Sequence, residues 1–459
     1  MKPTYIERLV DFVFDCRQET IPRDVREKAA LLLLDTLGVA VANSPKPFVR
    51  MLAKTIGETV AEGPCTAIGF SRRLVAEGAA AVNSTAIHGN DFDATHLVSI
   101  MHPCTVVIPV AVAVAEEVGA NGSDLLSTVI AGFEVLIRMG LVTRGAMHRG
   151  GFQSTALCGP TVLAMVAGKL YGMSRDEVIS AAGLSASIAA GLRAFSDDGT
   201  WGKRIITGWS CRAALMATKL AREGYPGSCD ALEKEPFGFY RAFVPNGGYD
   251  LAELTKALGQ EWETQNVDLK RYSCSHGLHA FIDTARRAKT TLEIKPEQIA
   301  SVICHVSSEA AKWWFEPRER KYELTDVYGA RFSMPYSVAL ALVYGSVTDG
   351  HFESRELLDD QRVRNLVSCI RPKIDNSLSN ANPNILPGTL EITTIDGNRV
   401  KFDGTGADVG EEFKTAVMEK FRLNAESALG AEAVEKLVTL TTHVEEQPSM
   451  KQMMSLLGR

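Results

Sequence analysis

The chain has 459 residues, with 49 Lys plus Arg against 55 Asp plus Glu, a formal charge of −6, and 46% hydrophobic residues. That composition belongs to a soluble globular protein with room for two to four compact units at roughly 100–200 residues each. A mildly acidic chain without a basic tract excludes nucleic acid and an anionic membrane as the main partner, but not a small acidic substrate, because a pocket can oppose the global sign.

The first twenty residues mix acidic and apolar side chains and read as an amphipathic helix, not an export signal. Residues 25–41 are apolar nearly all round, which predicts a buried helix. The most apolar run, 106–115, is shorter than the roughly 20 residues a membrane helix needs and contains Pro109. Ser123 is the expected cap of the next helix. Ser174 and Glu177 have capping-box spacing ahead of an Ala-, Gly- and Ser-rich helix expected to reach Leu192, whose small residues permit close helix packing. Up to about residue 225 the pattern is helical, with little strict alternation.

The character changes after about residue 264. Residues 299–307 read as a strand, and 389–402 as a hairpin turning at Asp396-Gly397. Helical stretches lie between them at 336–344 and 359–369, and 411–457 is helical again. The expected architecture is mainly α: a large all-helical domain, 1–264 and 405–459, interrupted by a smaller α+β lid domain at 265–404. Nine singly scattered cysteines, with no C-x-x-C pair, argue against a disulfide framework or thiolate metal site and predict a reducing, cytoplasmic compartment.

Three clusters carry chemistry. The first is His88-Gly-Asn-Asp91-Phe-Asp93-Ala-Thr95-His96, followed by His102-Pro103, where acids, imidazoles and a hydroxyl gather between two apolar helices. Asp-x-Asp-x-x-His offers metal ligands but matches no specific ligand spacing; helix caps and solvated polar groups are the plainer reading. The second is Gly199-Thr200-Trp201-Gly202-Lys203-Arg204, in which two adjacent cations can receive an anion or lie solvated on a surface. The third is Lys270-Arg271-Tyr272-Ser-Cys274-Ser-His276-Gly-Leu-His279, at the domain boundary; its Cys-x-His-x-x-His lacks a second ligand pair. No dinucleotide fingerprint, Walker sequence or G-x-S-x-G elbow occurs.

In order and interval these clusters, with Gly151-Phe152 and Thr155, and Phe332-Ser-Met-Pro335-Tyr336, resemble the MmgE/PrpD family over nearly the whole chain. That family includes 2-methylcitrate dehydratase, cis-aconitate decarboxylase and iminodisuccinate epimerase. The resemblance implies a helical domain with an α+β lid, a homodimer, and activity without metal or organic cofactor. It places Asp91, Thr95, His102, Lys203, Lys270 and Tyr336 in the site. Removing a proton beside a carboxylate yields a dianionic enediolate, which Lys203 and Lys270 would stabilise. His102 would be the general acid or base. Asp91 would orient it or a lysine, and Tyr336 and Thr95 would donate hydrogen bonds or a proton. Asp93, Gln153, Arg204, Tyr272 and His276 complete the expected substrate-binding set.

Two positions depart from the family pattern. Many members read Gly-Phe-His-Pro-Thr where this chain has Gln153, and Leu-His after Lys-Arg where it has Ile205-Ile206. An amide cannot exchange a proton at neutral pH, so His148, His96 or His276 is expected to compensate. The resulting expectation is a cofactor-independent lyase, dehydratase or decarboxylase, acting on a small di- or tricarboxylate. An epimerase or isomerase, and a catalytically silent carboxylate-binding homologue, are the alternatives. Closure of the lid would bring Lys270 and Tyr336 to His102 and Lys203.

Overall fold

The computed structural model describes residues 2–378, 387–404 and 411–458. The chain opens with α1 (Tyr5–Asp15), where Thr4 and Glu7 form a reciprocal capping box, and continues through α2 (Arg23–Asn43) and α3 (Pro47–Thr59). A two-stranded ladder, β1 (Glu62–Thr66) and β2 (Arg73–Leu74), leads to α4 (Ala76–His88). Then come β3 (Thr95–His96), α5 (Pro103–Val118), α6 (Gly122–Leu141), the single turn α7 (Ala146–Arg149), α8 (Ser154–Leu170), α9 (Arg175–Ser187), the short α10 (Phe195–Asp198), α11 (Gly202–Arg222) and α12 (Phe239–Phe243). α5 and α8 are buried over almost their whole length, as their largely apolar sequences favour. α11 packs against α4, α8 and α9.

β4 (Val267–Asp268) pairs antiparallel with β3, Thr95 opposite Asp268 and His96 opposite Val267. Beyond it lie α13 (His279–Leu292), β5 (Ile299–Val306), α14 (Ser308–Trp314), α15 (Arg318–Tyr322), α16 (Met334–Tyr344), α17 (Arg355–Leu358), α18 (Gln361–Val367), β6 (Ile370–Ile374), β7 (Leu390–Thr394) and β8 (Arg399–Phe402). The four strands form one sheet in the order β6-β5-β7-β8; β5 and β6 are parallel, the other pairs antiparallel. α19 (Glu411–Leu429) then packs along α2, and α20 (Ala431–Thr442) and α21 (Lys451–Ser455) end the described chain.

Two hydrophobic cores result. One joins residues from Ile6 to Leu269 with Phe413 to Leu457, and the other runs from Tyr272 to Ile392. The chain is therefore mainly α with a smaller α+β unit. The expected boundary at 404/405 falls at the edge of 405–410, outside the described residues.

Three local expectations change. The helix after residue 121 is capped by Asn121, whose side chain accepts from the Asp124 N–H at 2.8 Å, and Ser123 lies inside it. Asn and Ser compete equally well for this role, and the one that reaches the free N–H wins. The Ser174–Glu177 capping box forms, but α9 ends at Ser187, five residues short of Leu192. Its glycines and serines add little helix propensity to hold the last turn. Short two-stranded ladders also occur within the helical part, at β1–β2 and β3–β4.

Candidate active site

α4 ends at His88, and the chain turns through Gly89 close to the Phe48 ring, where a Cβ would approach Phe48 Cε2 to 2.0 Å. Asp91 then takes a left-handed conformation with φ 55°, which costs an L-residue on the order of 1 kcal/mol. This reversal sends the carboxylates of Asp91 and Asp93 into two different charge systems. β3 follows, anchored on β4, which places Lys270 two residues beyond Asp268 beside the same loop. His102 caps α5, its backbone N–H donating to Thr155 Oγ1 at 2.9 Å.

Asp91 Oδ1 is ion-paired with Lys203 and, at 2.9 Å, with Lys270. The Lys270 ammonium also donates to the Asp91 backbone carbonyl at 3.0 Å. Burial alone would raise the Asp91 carboxyl pKa, but the two lysines outweigh it and hold the group well below the usual carboxylate range. This pair of cations on one carboxylate leaves the cluster a net positive charge.

Asp93 serves the second system. His102 Nδ1 lies 2.7 Å from Asp93 Oδ2, His88 Nδ1 lies 3.2 Å from both carboxylate oxygens, and Thr105 donates at 2.7 Å. Burial again opposes ionisation, and the two imidazoles reverse its effect, so Asp93 remains a carboxylate. It fixes the His102 ring with Nδ1 inward, as an orienting acid does in hydrolase triads. Thr95 Oγ1 is 3.2 Å from the same nitrogen.

Asp91, Thr95, His102, Gln153, Lys203, Lys270 and His276 all line a single cavity of about 440 Å³, which suits a small polycarboxylate. Asp93 sits behind His102. Gln153 caps α8, its side-chain oxygen accepting from the Ala156 N–H at 2.6 Å, so its amide is a fixed polar contact. His148 also lines the cavity, edge-on to Trp313 at 5.6 Å between ring centroids. Further cations surround the space: Arg149, Arg193, Lys312 and Lys321. These were not singled out from the sequence, since they stand in no motif and come from four separate segments.

Three expected site residues lie elsewhere. The Arg204 guanidinium is caged by the rings of Phe48, Tyr328 and Trp201, 4.1, 4.3 and 4.7 Å from their centroids. One residue beyond Lys203 on a helix is a turn of about 100°, which carries Arg204 away from the cavity. The Tyr272 hydroxyl bonds Asp283 and accepts from Arg286 Nη1 at 2.7 Å. Tyr336 is buried in the second core, and its hydroxyl donates to the His351 carbonyl at 3.0 Å. Burial pushes the Tyr336 hydroxyl pKa up, which also disfavours it as an acid. His96 pairs with Ser99 at 2.7 Å and Glu263 at 3.2 Å, and neither it nor Ile206 lines the cavity. The expected Asp-x-Asp-x-x-His grouping thus separates. Among the described residues, the set able to offer a metal ligand atoms within 4.8 Å of one another is His88, Asp93 and His102. Both rings already turn Nδ1 toward Asp93, so the geometry is that of a carboxylate orienting two imidazoles.

The buried rings make stability pH-dependent. Burial pushes His88 down to about 4, against the pull of Asp93, and pushes His276 down to about 3, aided by Lys270. The unfolded chain protonates these rings from about pH 6.5 downward while the folded chain resists, so stability is full above about pH 6.5 and falls between there and about pH 4. The thermal midpoint is expected to drop steadily across that window, by an amount reflecting several kcal/mol in total. His276→Asn should make the drop shallower. A midpoint constant from pH 7 to 4.5 would show that the rings are not held neutral.

Residues 7–252 match the MmgE/PrpD N-terminal domain and residues 272–446 the MmgE/PrpD C-terminal domain. The cis-aconitate decarboxylase-like protein oryM of Aspergillus oryzae is 28% identical, over 98% of this chain and 96% of that protein. The cis-aconitate decarboxylase of Aspergillus terreus is 25% identical over 96% and 93%, and that of Homo sapiens 26% over 94% and 90%. Two family domains that together span most of the sequence, and a carboxylate–lysine–imidazole cavity assembled from their shared boundary, lead to one assignment: this chain belongs to the MmgE/PrpD family.

Proposed function

We propose that this chain is a lyase that decarboxylates a small unsaturated polycarboxylate of the cis-aconitate type, using its own side chains. The observation that carries the reading is the buried Lys203–Asp91–Lys270 cluster facing the same cavity as the Asp93-oriented His102. The names of the relatives favour decarboxylation over dehydration.

The chemistry fits such a site. A carboxylate on the carbon next to a C=C leaves as carbon dioxide, and its bonding pair becomes the new double bond. The former double-bond pair moves toward the remaining carboxylate and takes one proton at the adjacent carbon. Charge therefore gathers on that carboxylate, where Lys203 and Lys270 meet it, and one acid must deliver one proton. His102 fills that role, its ring held in place by Asp93 at 2.7 Å. Dehydration would need an acid and a base together, and Gln153 and Ile206 occupy the positions where the family resemblance expects two further imidazoles. His148 and His276 border the cavity, but burial holds both rings toward the neutral form.

The test is incubation of the protein with cis-aconitate in deuterated water, followed by NMR. Release of carbon dioxide with one deuterium in the product methylene is expected. Deuterium exchange with configuration inverted and no carbon lost would instead make the protein an epimerase. Saturable binding without exchange would leave it a carboxylate-binding homologue.

We also infer a homodimer formed through the outer face of α11. Ile205, Trp209, Met216 and Leu220 are exposed at 48, 55, 49 and 39%, and with Trp201 they form one stripe along the helix. All nine cysteines are unpaired thiols, which fits a reducing compartment.

A further inference from the structure

The loop carrying both site carboxylates is held in an unusual way. Three consecutive backbone carbonyls each accept from a buried cation: Asn90 from Arg331 at 3.2 Å, Asp91 from Lys270 at 3.0 Å, and Phe92 from Lys420 at 2.8 Å. Lys270 lines the cavity, and Arg331, one residue before the cavity-lining Phe332, is ion-paired with Asp349 and Glu353. Lys420 comes from α19, more than 300 residues along the chain, and does not line the cavity.

Lys420 is itself constrained. Its ammonium lies 2.8 Å from Asp35 Oδ1 and 3.9 Å from the centroid of the Phe92 ring. Asp35 is fully buried on α2, and neither of its oxygens has a well-aligned hydrogen bond among the described residues. A carboxylate in that setting is costly unless a cation is kept beside it, so it anchors the lysine. The anchored lysine binds the peptide between Asp91, which points at the lysine pair, and Asp93, which points at the imidazole pair.

We propose that Lys420, anchored by Asp35, is a positioning residue for the active site: by fixing the Phe92 carbonyl it sets the directions of the Asp91 and Asp93 carboxylates. Asp91 is in the left-handed region, so the loop needs outside contacts to keep that conformation. Loss of the Phe92 contact lets the loop relax, and His102 loses its alignment before the fold is lost. The proposal rests on the reading that Asp91 and His102 serve the reaction.

The test compares the wild type with Asp35→Asn/Lys420→Met, which removes both charges together, and with Lys420→Arg. One readout needs no substrate: the downfield proton resonance of the His102 Nδ1–H···Asp93 hydrogen bond. In the folded double variant that resonance is expected to shift or broaden away. Its kcat should fall by about 10²-fold, with KM changed far less, because misplacement rather than lost binding is responsible. Lys420→Arg should restore most of both. A folded double variant with an unchanged resonance and unchanged kcat overturns the proposal. Should the double variant fail to fold, Asp35→Asn alone decides. It keeps Lys420 but loosens its anchor, and an unchanged resonance in that folded protein overturns the proposal equally. If the assigned reaction is wrong, activity is absent from every variant, while the resonance still reports on Lys420.

Discussion

Replacing Lys203 by alanine is expected to lower kcat by about 10²–10³-fold, with a much smaller change in KM and no loss of fold. Lys203 shares Asp91 with Lys270, so Asp91 keeps a counter-ion at 2.9 Å when Lys203 is removed. No buried charge is stranded, and the thermal midpoint should stay near the wild-type value. In the proposed reaction, what would disappear is one of two cations facing the carboxylate on which the transition-state charge develops. Asp91→Asn separates the effects from the other side. It leaves two buried ammonium groups around a neutral amide, and losing one partner of a buried ionic cluster costs about 3–5 kcal/mol. That variant should be clearly less stable as well as slow. Steady-state kinetics beside thermal unfolding give both numbers. A Lys203→Ala protein with more than a tenth of wild-type kcat would remove the lysine pair from the mechanism.

The parts of this site that were legible in the sequence are those that depend on local chain order. Asp91, Thr95 and His102 fall within a dozen residues between two apolar helices, so packing those helices confines them to one short connection. Lys203 opens α11 and Lys270 follows β4 by two residues, and both reach Asp91. Neighbours of motif residues were less safe. Arg204 and Tyr272 stand one and two positions from residues that line the cavity, yet helical rotation and a competing Asp283–Arg286 pair carry them away from it. Tyr336 has the right motif but does not line this cavity, because α16 is largely apolar and is buried in the second core. His148 and His276, expected as compensating imidazoles, do border the cavity, whereas Arg149, Arg193, Lys312 and Lys321 could not be read in advance, since only tertiary packing gathers them. Lys420 and Asp35 were hidden for a different reason: Lys420 looks like an ordinary helical surface charge, and Asp35, in a run expected to be buried, shows no partner until α19 is laid along α2.

Trp209→Glu is expected to convert a dimer to a monomer at micromolar concentration. The large exposed apolar positions on α11 are symmetric about the 212–213 peptide. An antiparallel copy of the helix would place Ile205 opposite Leu220, and Trp209 opposite Met216, in both directions at once. Such self-complementarity is what a two-fold interface requires, whereas a different partner would not need it. The stripe is an apolar patch on the order of a few hundred Å², the size of the largest patch on a typical monomer, which is often an interaction site. A glutamate at its centre would be desolvated against an apolar partner without a counter-ion, and the penalty is taken twice across the two-fold axis. Phe237 supplies the control, being 84% exposed but outside α11; Phe237→Glu should leave the dimer intact. Sedimentation velocity distinguishes these outcomes, and a monomeric wild type would dismiss the interface outright. Arg212 adds a second signature. Its guanidinium is 6.0 Å from the Trp209 ring centroid and would lie beside the axis of such a dimer, so two like charges would approach each other there. Salt screens that repulsion while leaving apolar burial in place, and association should therefore tighten as ionic strength rises.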